Sequence, residues 1–349
     1  MNRMLLLLLV VPVLAACERS PDVTATTLHW NGQEFATRLT TPKEPTSDVT
    51  VIMLGGGFAF DEHWTTPASY DIEGSHVNVT IDGVDYHDAD TITAELVKRG
   101  FRVFQWSSIP SDDATGLANP ALARGATYRQ LRELSQAAVA HACTLDGVKA
   151  NRIVLLGHSL GAARACQIAD ASTAGIAMLS GAYVSLHFMA PSKMIEQSIR
   201  ATQKANALLG KPTEWSEERH LALYDFDKDG TVQDWEEAGI GDIAAYKFGM
   251  LHIDKDIPAD FEGDITPVRL LRILKVPKLA IYGNLDPTAV HAPALDFLKH
   301  TGAITRLELV VLPDLNHQLG RQVGDLTGPI DPAAVQCIGD WMTEHFASN

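Results

Sequence analysis

One stretch narrows the folding options of this 349-residue chain more than any other. Arg152-Ile153-Val154-Leu155-Leu156 is followed by Gly157-His158-Ser159-Leu160-Gly161 and then by an alanine-rich segment, residues 162–171. The first five residues read as a short buried strand and the alanine-rich segment as a helix. A strand that enters a helix through Gly-x-Ser-x-Gly turns so tightly that only small residues fit on either side of the serine. The spacing alone is weak, since it recurs by chance in roughly one chain of this size in ten. The strand before it and the helix after it give it weight, because together they push Ser159 out above the end of a sheet.

The flanking sequence keeps the same rhythm. Residues 25–40 read as two short strands around the Asn31-Gly32 turn. An apolar run from Val49 to Leu54 ends in Gly55-Gly56-Gly57. A helix-like stretch from Ala89 to Arg99 precedes a strand from Phe101 to Trp106, and 124–145 has helical spacing with Leu131, Leu134, Ala138 and His141 on one side. Ile176 to Leu179 is the next strand. The rhythm then stops over 191–263 and resumes with strands at Lys278 to Tyr282 and Leu307 to Leu312, closing in a helix from Pro332 to about Phe346. Alternation of this kind predicts an α/β fold, a mostly parallel central sheet flanked by helices on both faces. Residues 191–263 read as a helical, acidic cap inserted between a first core part (25–190) and a second (264–349).

A serine hydroxyl is a weak nucleophile at neutral pH and needs a base that is itself oriented by a third group. On an elbow of this kind the acid and then the histidine follow the serine in the chain. The strand after the insertion ends Tyr282-Gly283-Asn284-Leu285-Asp286-Pro287, and the last strand ends Leu312-Pro313-Asp314-Leu315-Asn316-His317. Asp286 and His317 are therefore the expected acid and base. Asp314 is an alternative acid, but it shares the His317 loop, where a turn or capping role is commoner. His291 and His300 read as surface residues, and His158 as structural. The growing negative charge on a substrate carbonyl needs fixed N–H donors. The expected ones are the N–H of Leu160 and one from the glycine loop, at Gly56 or Gly57.

Together these motifs resemble the α/β-hydrolase family over about 49–190 and 275–346. Gly55-Gly56-Gly57-Phe58 is similar to the oxyanion loop of its esterase and lipase branches, which often place histidine where this chain has Leu54. The resemblance implies an α/β-hydrolase fold. A serine nucleophile, rather than the aspartate or cysteine of other branches, implies carboxylic esters, with thioesters or peptides behind them. No cofactor is expected for the chemistry.

Two further signals lie outside the core. Arg3, the apolar run Met4 to Val13 and Leu14-Ala15-Ala16-Cys17 form a signal peptide, 1–16, too short to span a bilayer permanently. Its end resembles the lipobox of bacterial lipoproteins, which implies cleavage before Cys17, lipidation of that cysteine and a polar tether over 17–24. The expected place is outside the cytoplasm, on the periplasmic or surface face of a membrane. Cys143, Cys166 and Cys337 remain, either as small buried apolar side chains or with one pair bridged. Lys plus Arg is 28 against 43 Asp plus Glu, a net charge of -15 with no basic stripe. That balance argues against nucleic acid as a partner, since a polyanion needs clustered cations.

The second signal is Asp225-Phe226-Asp227-Lys228-Asp229-Gly230-Thr231-Val232-Gln233-Asp234-Trp235-Glu236. It matches a calcium-binding EF-hand loop at every informative position. Asp225, Asp227 and Asp229 would supply carboxylate oxygens, Thr231 its carbonyl, Gln233 a direct or water-mediated contact, and Glu236 the closing bidentate pair. Residues 211–264 hold 15 acidic side chains and 5 Lys plus Arg, a balance of -10 that a divalent cation would relieve. Calcium is expected to be structural, holding the cap in place. The leading expectation is a lipid-anchored carboxylic-ester hydrolase acting on a small-molecule acyl ester. A peptidase, thioesterase or acyltransferase with the same residues is the alternative within enzymes, and a non-catalytic binding lipoprotein the alternative outside them.

Overall fold

A computed structural model describes residues 20–56, 61–72, 75–111, 128–181, 267–324 and 326–347. Cys17 and the signal peptide, Gly57, the cap 191–263 and its calcium loop lie outside the described residues.

The chain opens on a hairpin of β1 (Asp22–Trp30) and β2 (Gln33–Thr41). Asn31 and Gly32 turn it with φ of 49° and 76°, a left-handed pair whose twist suits adjoining strands. The strand begins at Asp22, inside the expected tether, because β2 is long enough to pair Asp22 with Thr41. Next comes β3 (Thr50–Leu54), buried along its whole length. Two small pairings follow, β4 (Thr65–Thr66) with β7 (Tyr86–His87) and β5 (Ser69–Ile72) with β6 (Ser75–Asn78). Sequence periodicity showed neither, since strands of two to four residues carry no readable alternation.

The regular alternation then sets in: α1 (Asp88–Lys98), β8 (Arg102–Trp106), α2 (Tyr128–Ala142), β9 (Ile153–His158), α3 (Leu160–Ile168), β10 (Thr173–Leu179). After residues 182–266 come α4 (Pro267–Ile273), β11 (Lys278–Gly283), α5 (His291–His300) and β12 (Leu307–Leu312). A hairpin of β13 (Gly320–Val323) and β14 (Leu326–Ile330) leads into α6 (Pro332–Phe346). Helix α3 is displaced from the expected 162–171. It starts directly after Ser159 and stops at Ile168, because the Asp170 carboxylate takes the backbone N–H and hydroxyl of Ser172 and offers the chain a turn instead. Helix α6 starts where a cap predicts: the Asp331 side chain accepts from Ala333 N–H, with proline at the first helical position.

Eight strands form one sheet in the order β1-β2-β8-β3-β9-β10-β11-β12. β2 alone runs opposite to the other seven strands. Successive residues of the central strands feed opposite faces. Ile52, Leu54 and Leu155 pack with Leu131, Leu134 and Ala138 of α2 and with Ala162 and Ala165 of α3. Val51, Met53, Val154 and Leu156 pack with Ile92 and Leu96 of α1 and with Ile338 and Trp341 of α6. Both faces being covered explains why these strands read as continuous apolar runs.

The three described cysteines are free thiols. Cys166 and the partly buried Cys143 belong to one face and Cys337 to the other. The sheet therefore separates Cys337 from both of the others; Cys166 is buried in the core, and Cys143 and Cys337 are half-buried beside it.

Candidate active site

Ser159 stands between the last residue of β9 and the first of α3 with φ 54° and ψ -123°. That conformation is strained for a residue with a Cβ. Two glycines make it reachable. A Cβ on Gly157 would lie 2.3 Å from the Gly161 carbonyl oxygen, and one on Gly161 would lie 2.1 Å from that of Leu54. Backbone atoms cannot retreat from such contacts, so both positions admit glycine alone. The motif is thus explained by sterics at the elbow.

The end of β11 and the end of β12 bring the other two residues to the same edge of the sheet. Gly283 allows this crossing, since a Cβ there would sit 2.1 Å from the Leu315 carbonyl oxygen. Leu285 N–H donates to that same carbonyl at 3.0 Å, tying the two loops together. Asn316 stiffens the turn from within, its side-chain oxygen accepting from Gln318 N–H at 3.1 Å and Gly320 N–H at 3.2 Å. The result is a relay. His317 Nε2 lies 3.0 Å from Ser159 Oγ, and His317 Nδ1 lies 2.9 Å from Asp286 Oδ1. With Nδ1–H donating to the carboxylate, Nε2 is left to accept the serine proton.

The electrostatics favour that arrangement. Burial would raise the Asp286 carboxyl, but the charge of His317 and hydrogen bonds from His317 and Thr288 hold it well below the usual carboxylate range. Burial would lower the His317 imidazole, but the Asp286 carboxylate outweighs it and the net shift is upward. Such a histidine takes a proton more readily than a free imidazole. Thr288 donates to Asp286 twice, from its N–H to Oδ1 at 2.8 Å and from its hydroxyl to Oδ2 at 2.7 Å. Sequence reading missed Thr288; an Asp followed two residues later by Thr is the signal that could have found it, as a local side-chain turn.

His158 is structural, as expected, and has a definite task. Its Nε2 lies 2.8 Å from the His317 carbonyl oxygen, so that nitrogen carries the proton and donates. Burial, then the neighbouring His317, lower its pKa to about 4, so it is neutral at pH 7. Asp314 is not brought to the site. It is exposed, takes a left-handed φ of 59°, and its N–H donates to the Asn284 side chain in a turn. His300 is a surface residue whose Nδ1 lies 2.8 Å from the Asp296 carbonyl oxygen; the side chain of His291 lies outside the described residues.

Of the expected oxyanion donors, Leu160 opens α3, and Ser159 places no side-chain cap on that helix end. The first N–H groups of a helix have no intrahelical partner and attract negative charge. Gly56 lies against the nucleophile, since a Cβ there would be 2.9 Å from Ser159 Cβ and 3.1 Å from His158 Nδ1. Gly57 is outside the described residues, as are Asp225, Asp227, Asp229, Thr231, Gln233 and Glu236.

The same fold recurs in solved structures at low identity. An acylaminoacyl peptidase from Pyrococcus horikoshii superposes with a TM-score of 0.55 at 8% identity, over 95% of this chain and 42% of that one. An esterase from Pyrobaculum calidifontis gives 0.52 at 14%, over 94% and 86%. A proline iminopeptidase from Mycobacterium smegmatis gives 0.51 at 16%, over 92% and 98%. No curated protein sequence matches the chain. A family model does, over residues 51–323, a span that starts in β3, contains Ser159, Asp286 and His317, and ends in β13. The chain belongs to the alpha/beta hydrolase family.

Proposed function

We propose that this protein cleaves small-molecule carboxylic esters through a covalent acyl-enzyme. The observation that carries the reading is the continuous relay from Ser159 Oγ through the His317 ring to the Asp286 carboxylate. Ser159 Oγ attacks the ester carbonyl while its proton passes to His317 Nε2. The carbonyl oxygen takes up the negative charge and is held by N–H donors at Leu160 and the glycine loop. The tetrahedral intermediate expels the alkoxide, which leaves as alcohol with the His317 proton. Water, deprotonated by the same nitrogen, then attacks the acyl-enzyme and releases the acid. Asp286 stays ionised throughout and keeps the imidazole in the working tautomer.

The same relay can open an amide or thioester, and two of the structurally similar proteins bear peptidase names. Protein starting after Cys17 should hydrolyse p-nitrophenyl esters, with a rate that depends on acyl length, and Ser159→Ala should abolish turnover. Equal rates in the two would sink the mechanism. A folded wild type that leaves the esters intact but cleaves aminoacyl p-nitroanilides would move the reading to peptidase.

Two further parts of the reading rest on sequence motifs. The Leu14-Ala15-Ala16-Cys17 stretch supports a lipid anchor at Cys17, and multiple acyl chains there would hold the protein firmly on a membrane. The all-oxygen donor set from Asp225 to Glu236 suits a hard cation, so Ca2+ would brace the cap without entering the chemistry. Metal-stripped protein should melt at a lower temperature in EDTA than in millimolar calcium chloride. Identical melting curves would remove calcium from the account.

A further inference from the structure

Arg164 leads the largest fully buried side chains of the described residues, at 1% exposure. It sits on α3, five positions after Ser159. Burial lowers its pKa only to about 10, so it keeps its charge at neutral pH. An enclosed cation without a carboxylate partner costs stability. No ion pair to it occurs among the described residues, and its Nε and Nη1 are buried there without a hydrogen-bond partner. The one hydrogen bond that the guanidinium makes among those residues is from Nη2 to the carbonyl oxygen of Gly55.

That carbonyl belongs to the peptide that leads into Gly56. A peptide is planar and trans, so holding its oxygen also holds its N–H. The residues on both sides of this peptide are glycines, whose backbone freedom holds the peptide's orientation less firmly than other residues would. The orientation of this peptide decides which group it can turn to the nucleophile, an N–H that would hold an oxyanion or a carbonyl that would repel one. The observed orientation is tightly framed. A Cβ on Gly161 would lie 2.5 Å from Gly55 O, so the carbonyl faces the first turn of α3. A Cβ on Gly56 would lie 2.9 Å from Ser159 Cβ.

We propose that Arg164 is a positioning residue whose guanidinium clamps the Gly55 carbonyl and so holds the Gly56 N–H as an oxyanion donor beside Ser159. The inference rests on the ester-hydrolase reading and extends it from the groups that meet the substrate to a residue that orients one of them. Among the described residues no hydrogen bond joins Arg164 to Ser159, so its action runs through the Gly55 carbonyl. The buried charge at neutral pH is what makes it an effective clamp, because a charged donor makes a stronger bond than a neutral one.

The test compares wild type with Arg164→Met and Arg164→Lys, using p-nitrophenyl butyrate and two probes of equal chain length. An alkyl trifluoromethyl ketone adds Ser159 and forms an oxyanion; the corresponding methyl ketone binds without adding. In Arg164→Met, kcat should fall roughly 10²-fold, the scale of one lost oxyanion donor, with KM nearly unchanged. Inhibition by the trifluoromethyl ketone should weaken in parallel and inhibition by the methyl ketone should not. Arg164→Lys, still a charged donor, should recover most of the loss. If Arg164→Met melts too early to assay, Arg164→Gln, whose amide is too short to reach, is read by the same ratio. A variant that discriminates between the two ketones as well as wild type does, or that loses both equally, overturns the clamp and leaves the hydrolase reading standing. A wild type that does not discriminate overturns both.

Discussion

Three side chains at the site draw their properties from their neighbours. The upward shift of His317 is the net of burial, which pulls down, and Asp286, which pulls up harder. The base must be neutral to accept the Ser159 proton, so kcat/KM should rise with pH through a value above that of a free imidazole. Asp286→Asn removes the upward pull and leaves burial in charge. Its acid limb should move to lower pH, and kcat should drop about 10⁴-fold because the tautomer is no longer held. A pH–rate profile checks both; an acid limb that stays in place would mean that Asp286 does not set the base. Thr288 matters at this scale too, since its two donations keep the Asp286 carboxylate ionised and aimed.

At the scale of elements, the site is a junction of loops at the carboxyl ends of β3, β9, β11 and β12, and glycines decide how closely they meet. Gly283 is the joint between the loops that carry the acid and the base. Gly283→Ala puts a Cβ 2.1 Å from Leu315 O and 2.9 Å from Asn316 O. Both are backbone atoms, so the loops must separate. The substitution should cost about 1–3 kcal/mol by overpacking, or more, read by urea unfolding. Activity should fall further than the remaining folded fraction explains, because Asp286 and His317 move apart. Unchanged kcat in the folded protein would show that the crossing tolerates the extra atom. His158 works across the same junction, binding the His317 carbonyl from the end of β9.

Over the whole molecule, two carboxyls set opposite trends of stability with pH. Asp286 has a depressed pKa, so its contribution is present above the unfolded carboxylate value and is lost as pH falls through the lower folded one. Asp88, at the start of α1, is pushed up to about 6 by burial, against the N–H that Ile330 donates to it at 3.0 Å. The folded chain therefore binds a proton there that the unfolded chain has already released, and stability falls as pH rises from about 4 towards 6. Asp88→Asn keeps an acceptor for Ile330 and removes the titration. It should raise the melting temperature at pH 7 and leave it nearly unchanged at pH 4. A variant no more stable than wild type at pH 7 would contradict the burial argument.

Much of this molecule was legible from one end of the chain to the other. The elbow, the acid and base and most of the sheet strands follow from local physics: backbone sterics around Gly157 and Gly161, the period of apolar residues, and turn chemistry at strand ends. Those signals act over a few residues, so a single sequence exposes them. The order of the sheet did not follow, nor did the insertion of β8 between β2 and β3, which sets β3 and its glycine loop directly beside β9. Nor did the roles of Thr288, His158, Asn316 and Arg164. Those of His158 and Arg164 depend on which distant loop lies within hydrogen-bond reach, a distance set by strand register and packing, and these residue types carry no local pattern that announces it. The sequence by itself determined which chemistry the chain could attempt. The tertiary structure decided which groups would hold that chemistry in place, because fixing a donor to about 3 Å takes contacts from several elements at once.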